Sequence, residues 1–210
     1  MKIIHTLAVI LFASTLAGCA VQSYDYSALE QSKPRSILVI PPVNDSVEVN
    51  APYVFLSTIS KPLAEKGYYV FPVGVIDEFL KQNGLPTPAE MHTVPLEKFR
   101  ENIGADAVLY VNILEWGQKF QLLSSNTVVS AEARLVDARN GTLLWETHIQ
   151  GTQSSDSNGG GLVAALIGAV AQQVAGSLAD YTKALSATAS SQAINDTQTG
   201  LLPGPYARQE

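Results

Sequence analysis

The chain has 210 residues, and its 13 basic and 19 acidic side chains give a formal net charge of -6 at pH 7. Nucleic acid is excluded as an expected partner, because binding to phosphate backbones depends on clustered Lys and Arg. Hydrophobic residues make up 46% of the chain, an ordinary fraction for a globular domain, and a single cysteine excludes a disulfide framework within it.

The N-terminus has the three parts of an export signal. Lys2 supplies the positive end, residues 3–16 supply the apolar stretch, and Leu16-Ala17-Gly18-Cys19 matches the pattern that lipoprotein signal peptidase reads. The apolar stretch is too short to span a bilayer. The alternative is an ordinary cleaved signal with an incidental cysteine, which would leave a free thiol. We predict that residues 1–18 are removed and that Cys19 is lipidated.

Lipidation of Cys19 predicts a protein held at a membrane by acyl chains, in which each buried methylene contributes about 0.8 kcal/mol. Ala20 follows, whereas bacteria with two membranes usually mark retention at the inner membrane with an aspartate at this position. The sequence therefore favours the outer membrane and its periplasmic face, and leaves cell-surface exposure open. Residues 19–33 are polar and weakly patterned, which predicts a flexible tether about 20 Å long on average.

The first half of the domain alternates strands and helices. Unbroken apolar runs predict strands at residues 36–42, 68–71 and 105–114. Apolar residues at helical spacing predict the helices between them, with Pro62 expected to kink or split the first helix and Gly67 to end it. Three strands that alternate with helices indicate a layered α/β domain.

The second half has longer strands with a period of two. One buried face is expected at Val129, Ala131, Ala133 and Leu135. A turn at Asn140-Gly141 leads to a return strand over 143–150, and a helix is predicted from 162 to 185. The predicted fold class is thus an α/β layered sandwich with a mixed sheet, a long antiparallel hairpin and a C-terminal apolar helix. We expect one domain over 34–185 and a mostly irregular tail over 186–210.

No catalytic or metal-binding constellation stands out. His92 and His148 are the histidines that remain after processing, and neither has a partner at metal-ligand spacing. Serine-hydrolase, phosphate-loop and zinc-protease motifs are absent from the sequence. We therefore expect no catalytic residues, no cofactor and no metal, and we consider a small-molecule partner the weaker option.

One loop is a candidate ligand site. Asn44, Asp45 and Ser46 follow the first strand, and open α/β sheets often bind ligands at the carboxyl end of a strand. The competing role for these residues is turn formation and helix capping. The alternative function is accordingly a small-ligand-binding domain or an enzyme with its site at 44–47.

An uncharged segment before Asp180 is the most unusual part of the mature chain. Small residues recur at helical spacing along one of its faces, at Gly160, Ala164, Gly168 and Gly176. An ordinary surface helix would turn Lys and Glu outward, so this helix is expected to be covered on two sides. Two explanations stay open: burial within its own fold, or an interface with a second copy or another envelope protein.

Four stretches together resemble a known family: Ile37-Leu38-Val39-Ile40-Pro41-Pro42, the block 51–73, the Gly-Ala-Asp-Ala run from Gly104, and the hairpin 135–145. The chain is similar, from Lys33 to Tyr206, to outer-membrane lipoproteins of unassigned function typified by a meningococcal surface antigen. More distantly, it resembles the N-terminal domain of TolB and CsgG-like lipoproteins, although it lacks the long amphipathic hairpins of the latter. The resemblance implies a non-enzymatic accessory or scaffold in envelope transport or assembly that acts through protein–protein contacts.

Overall fold

A mixed six-stranded sheet forms the centre of the fold. The computed structural model describes residues 24–120, 125–154 and 178–208. The strands are β1 (Ser36–Val39), β2 (Val43–Asn44), β3 (Tyr69–Val70), β4 (Ala107–Phe120), β5 (Ser125–Asp137) and β6 (Leu143–Ser154). Their order is β3-β1-β4-β5-β6, with β2 also paired to β4. β1 pairs in parallel with β3 and β4, and β2 pairs in parallel with β4, whereas the β4–β5 and β5–β6 pairs are antiparallel, which confirms the predicted mixed sheet.

Three helices cover one face of the sheet: α1 (Ser27–Ser32), α2 (Ala51–Glu65) and α6 (Leu178–Asn195). The apolar stripe of α2 packs against this face through Phe55, Ile59 and Leu63, which are at most 1% exposed. Pro62 lies inside α2, and the helix continues through it to Glu65, so the proline does not split the helix.

Among the described residues, helices cover the other face over β1 and the start of β4. Here α3 (Val73–Gln82), α4 (Pro88–Met91) and α5 (Leu96–Ile103) enclose a second, smaller core. Because β1 lies between both helical layers, its side chains are buried alternately in the two cores, as its unbroken apolar sequence predicts. Beyond these helices, the second face of β4, β5 and β6 carries polar side chains.

The strand β4, predicted over 105–114, is longer than the sequence predicts. β4 continues past Leu114 to Phe120, and the pairing register with β5 shifts between Ile113 and Glu115. This bulge puts Ile113 and Trp116 into the same core despite their odd spacing. The predicted alternation in β5 is confirmed, since its four expected inward residues are at most 1% exposed.

Both ends of the domain contain more helix than the sequence predicts. The last helix reaches Asn195, so the helix end predicted at 185 is wrong, and the tail predicted to be mostly irregular from 186 is helical as far as Asn195. Its Ser- and Ala-rich sequence suggested a tail, but Leu185, Ala189 and Ile194 are buried in the main core. Likewise α1 occupies part of the segment that was predicted to be a flexible tether.

Residues 196–208 form a C-terminal strap across the end of the domain at which β1 begins. Its residue Leu201 is buried in the main core. The N–H groups of Gly204 and Tyr206 donate to the carbonyl oxygens of Lys66 and Gly67, at 2.8 and 3.0 Å. Among the residues that the structure describes, no helix has the length and apolarity needed to cross a bilayer.

Candidate functional site

The N-terminal segment is docked on the domain from its first described residue, Tyr24. The Tyr24 hydroxyl accepts a hydrogen bond from the Glu146 N–H at 2.8 Å and lies 3.4 Å from the Glu146 carbonyl oxygen, to which it donates. The Tyr26 ring lies 4.7 Å from that of Tyr24, and its hydroxyl donates to the Gly200 carbonyl at 2.6 Å. Burial raises the pKa of both phenols, so both remain protonated donors. The two tyrosines join the N-terminal segment to β6 and to the strap.

A charged network holds the other end of α1. The Ser32 hydroxyl donates to Asp137 at 2.6 Å, and the Arg139 guanidinium donates to both oxygens of the same carboxylate, at 2.9 and 2.6 Å. Arg139 also donates to the Ser32 carbonyl at 2.8 Å. Burial opposes ionisation of Asp137, but the hydrogen bonds from Arg139 and Ser32 lower its pKa to about 2. We call residues 24–33, with their contacts on β6, Asp137, Arg139 and the strap, the anchor joint.

A cavity of about 620 Å³ opens between α1 and the strap. It is lined by Leu29, Glu30, Lys33, Pro34, Tyr68 and residues 202–205. The hydroxyl of Tyr68 donates to the Leu202 carbonyl at 2.9 Å, and burial raises the pKa of Tyr68 to about 12. Lys33 ends α1 with a φ of 47°, the left-handed conformation, and its N–H donates to the Leu29 carbonyl. The cavity is thus lined by the apolar residues Leu29 and Pro34 together with the acidic Glu30 and the basic Lys33.

The predicted ligand loop bonds mainly within itself. The Asn44 carboxamide oxygen accepts from the N–H and hydroxyl of Ser46, and its nitrogen donates to the Glu48 carbonyl. The Asp45 carboxylate accepts from the Asn112 carboxamide at 2.9 Å, and the Asp45 N–H donates to Ile113. These contacts fit the turn-forming role that competed with ligand binding in the sequence.

The two histidines lie on separate elements and are each bonded to a neighbour. Nε2 of His92 lies 2.9 Å from the Pro41 carbonyl oxygen, and its ring packs edge-on against Tyr110. Burial lowers the pKa of His92 and so favours the neutral ring. Nε2 of His148 lies 3.2 Å from the Ser130 hydroxyl. Within the described ranges, no group of three His, Cys, Asp or Glu side chains could hold a metal ion.

An exposed apolar group lies at the end of the sheet away from the anchor joint. Val47 and Val49, in the loop after β2, are 97% and 80% exposed, and Tyr53 at the start of α2 is 55% exposed. The Lys81 ammonium lies 5.3 Å from the centre of the Tyr53 ring. We call Val47, Val49 and Tyr53 the distal patch. The sequence contained its signal, two valines in a polar loop, but Val47 was considered there only as part of the candidate ligand loop at 44–47.

Some predicted site residues lie outside the described residues. These are the lipidation site Cys19 and the small-residue face at Gly160, Ala164, Gly168 and Gly176. Conversely, the sequence reasoning missed the anchor joint and the strap, because their contacts join residues that are far apart in the chain. Two aromatic residues in a tether, Tyr24 and Tyr26, were the available signal, since aromatic side chains seldom remain free in water.

The fold is an α/β sandwich with a mixed sheet, and its N-terminal segment is held against β6 and the strap. The chain belongs to the family described as "Putative lipoprotein GNA1162-like", whose model matches residues 24–206. This confirms the family resemblance inferred from the sequence.

Two relatives support the assignment. The chain is 43% identical over 199 residues to a protein of Neisseria meningitidis serogroup B named "Putative lipoprotein NMB1124/NMB1162", and the match covers 93% of each chain. It is 46% identical to the crystal structure of lipoprotein GNA1162 from Neisseria meningitidis, with a TM-score of 0.58, over 69% of this chain and 100% of that one. A dodecameric PelC from Paraburkholderia phytofirmans matches with 17% identity and a TM-score of 0.47, over 90% of this chain and 97% of that one.

Proposed function

We propose that the protein is a lipoprotein anchored in the outer membrane through Cys19, with its domain on the periplasmic face. In this proposal it is a non-enzymatic accessory or scaffold in envelope transport or assembly, and it acts through protein–protein contacts. The observation that carries the proposal is the position of the lipobox cysteine, five residues before the docked Tyr24. Membership of a lipoprotein family supports the same conclusion.

The short link between Cys19 and Tyr24 would hold the domain close to the bilayer. Five residues span at most about 17 Å when fully extended, and average about 12 Å as a flexible coil. The anchor joint would then face the membrane. Because the strands run from the anchor joint towards the loop after β2, the distal patch would face away from the membrane.

The distal patch supports a role in protein contacts. Single exposed apolar side chains are ordinary on a protein surface, but here two valines and a tyrosine are exposed within seven residues of the sequence. Tyrosine is also among the residues enriched in protein interfaces. The internal hydrogen bonding of Asn44 and Ser46, and the engagement of His92 and His148, support a non-enzymatic role.

Substitutions on either side of the cleavage position test the anchor. Cys19→Ser should abolish incorporation of radiolabelled palmitate and release the protein from the membrane fraction. Ala20→Asp should keep the lipid but move the protein to the inner membrane, while Ala20→Ser, the control, should leave it in the outer membrane. Retention of Cys19→Ser in the outer-membrane fraction would contradict the proposed anchor.

Site-specific crosslinking in cells tests the protein contacts. A photoreactive amino acid at Val49 should capture a discrete envelope protein, and the product should disappear in the Cys19→Ser background. The matched position is Glu101, an exposed residue on α5, where no such product is expected. Equal capture at both positions, or capture that does not depend on Cys19, would argue against a partner at the distal patch.

A further inference from the structure

The cavity between α1 and the strap has the chemistry of a site for a zwitterion. Glu30 and Lys33 lie at its edge, one turn apart, and among the described residues neither takes part in a salt bridge. Leu29, Pro34 and Tyr68 form an apolar interior between them and the strap. A ligand with one positive and one negative group could therefore pair its positive group with Glu30 and its negative group with Lys33.

The size of the cavity fits a small headgroup. Its volume of about 620 Å³ falls within the range of about 300–1,000 Å³ that is typical of small-molecule sites. The lining is held by contacts that do not involve the ligand: Leu29 is buried in the core, Tyr68 is bonded to Leu202, and Gly204 is bonded to Lys66. The site thus exists before any ligand arrives, which lowers the ordering cost of binding.

The position of the cavity indicates which zwitterionic molecules would be close to it. Glu30 lies six residues after Tyr24, and the link from Cys19 to Tyr24 spans at most about 17 Å. The headgroup layer on each side of a bilayer is about 5–8 Å thick. A lipid on Cys19 would therefore bring the cavity to the membrane surface, where phospholipid headgroups are the most concentrated small zwitterions.

We propose that this cavity binds the phosphoethanolamine headgroup of a membrane phospholipid, with Lys33 at the phosphate and Glu30 at the ammonium. This inference rests on the proposed anchoring of the domain through Cys19. A purely anionic headgroup fits less well, because Glu30 would repel it. A choline headgroup fits less well because its quaternary ammonium has no N–H to donate to the Glu30 carboxylate. Headgroup binding would fix the orientation of the domain on the membrane beyond what the lipid alone can do.

Vesicle binding of the mature chain with Cys19→Ser tests the proposal, since the headgroup affinity is then measured without acyl chains. Three vesicle compositions are compared by co-sedimentation: phosphatidylethanolamine-rich, phosphatidylcholine alone, and phosphatidylcholine with phosphatidylglycerol. The protein should bind the first composition best. Glu30→Gln and Lys33→Gln should each weaken that binding by up to about fivefold, the effect expected from the loss of one exposed ion pair. Lys33→Arg should retain most of it.

Lys98→Gln and Glu101→Gln are the matched controls, because they neutralise an exposed pair on α5 that lies outside the cavity. Both should leave vesicle binding unchanged. Urea unfolding of each variant checks that the fold is intact, and if Glu30→Gln unfolds, the Lys33 variants and the comparison of lipids still decide the matter. Competition by dissolved phosphoethanolamine should require millimolar concentrations, and tight binding of the dissolved molecule would instead indicate a free metabolite.

Equal binding to phosphatidylethanolamine and phosphatidylcholine vesicles would overturn the proposal, as would a preference for phosphatidylglycerol. Unchanged binding by both Glu30→Gln and Lys33→Gln would overturn it as well. Such results would not contradict the proposed anchor if the wild-type protein incorporates palmitate at Cys19. A wild-type protein that incorporates no palmitate would instead contradict the proposed function.

Discussion

Thr58 in α2 and Ser186 in α6 share a buried hydrogen bond of 2.8 Å between their hydroxyl oxygens. The Thr58 hydroxyl also donates to the Phe55 carbonyl at 2.9 Å, so Ser186 is the donor in the bond between the helices. Both residues are nearly inaccessible, at 5% and 0% exposed. This bond joins a helix of the first half of the chain to the helix that the sequence predicted to end just before it.

Thr58→Val should lower the free energy of unfolding by about 1–3 kcal/mol, because it leaves the Ser186 hydroxyl buried without its acceptor. Ser186→Ala should cost only about 0.5–1.5 kcal/mol, since Thr58 keeps its bond to Phe55. Urea unfolding of the single and double variants gives the coupling energy, and the double variant should cost less than the two single variants combined. Ser190→Ala is the control: its buried hydroxyl has no described partner, so its removal should cost little. Strict additivity would contradict the coupling.

Asp137 should make the stability of the domain depend on pH below 4. Its pKa of about 2 in the folded protein lies below the unfolded value of about 3.9. The stabilisation is therefore present above pH 4 and is lost as the pH falls towards 2, with an amplitude of about 2 kcal/mol. The measurement is the difference in unfolding free energy between wild type and Asp137→Asn as a function of pH. That difference should shrink between pH 4 and pH 2, and a constant difference would be inconsistent with this ionisation.

Gly67→Ala should detach the C-terminal strap. Gly67 has a φ of 95°, and a methyl group there would lie 2.2 Å from the Ala207 nitrogen. Gly84 has a similar φ of 85° but open space around it, so Gly84→Ala is a matched control. Both substitutions should cost about 1–2 kcal/mol for the left-handed backbone, and Gly67→Ala should cost more. Limited proteolysis should cleave the strap faster in Gly67→Ala only. Equal cleavage in both variants would show that the clash with Ala207 does not cause the strap to detach.

Gly168→Leu should weaken self-association or partner binding while the monomer stays folded. The residue belongs to the predicted small-residue face, which lies outside the described residues and remains a proposal. A leucine would prevent the close approach that small residues allow between helices. Light scattering measures the assembly, and circular dichroism measures the fold. Gly74→Leu, in an exposed part of α3 with open space around it, is the control. Unchanged assembly in Gly168→Leu would count against an interface on this face.

The sequence predicted best those elements whose signal is local. The alternation in β5 and the apolar stripe of α2 both follow from burial of one face, and burial leaves a period in the sequence. The length of β4 was underestimated because its apolar run ends at Leu114, whereas the strand continues past the bulge there to Phe120. The end of an apolar run is easily read as the end of a strand.

The parts that the sequence did not predict depend on contacts between distant residues. The residues from Ser186 to Asn195 have a composition typical of an irregular tail, but their small side chains let α6 pack closely against α2, as the bond between Thr58 and Ser186 requires. The docking of Tyr24 on Glu146 likewise has no local signal in the sequence, because Tyr24 binds to a strand that lies more than a hundred positions further along the chain. The family resemblance supplied the fold class but not these contacts.

The bond between the Tyr26 hydroxyl and the Gly200 carbonyl also couples the docking of the N-terminal segment to the folding of the strap. The two residues lie 174 positions apart in the sequence, so this contact forms only once the strap is in place. A mechanical force on the N-terminal segment would accordingly be transmitted to the opposite end of the sequence as well as to the sheet.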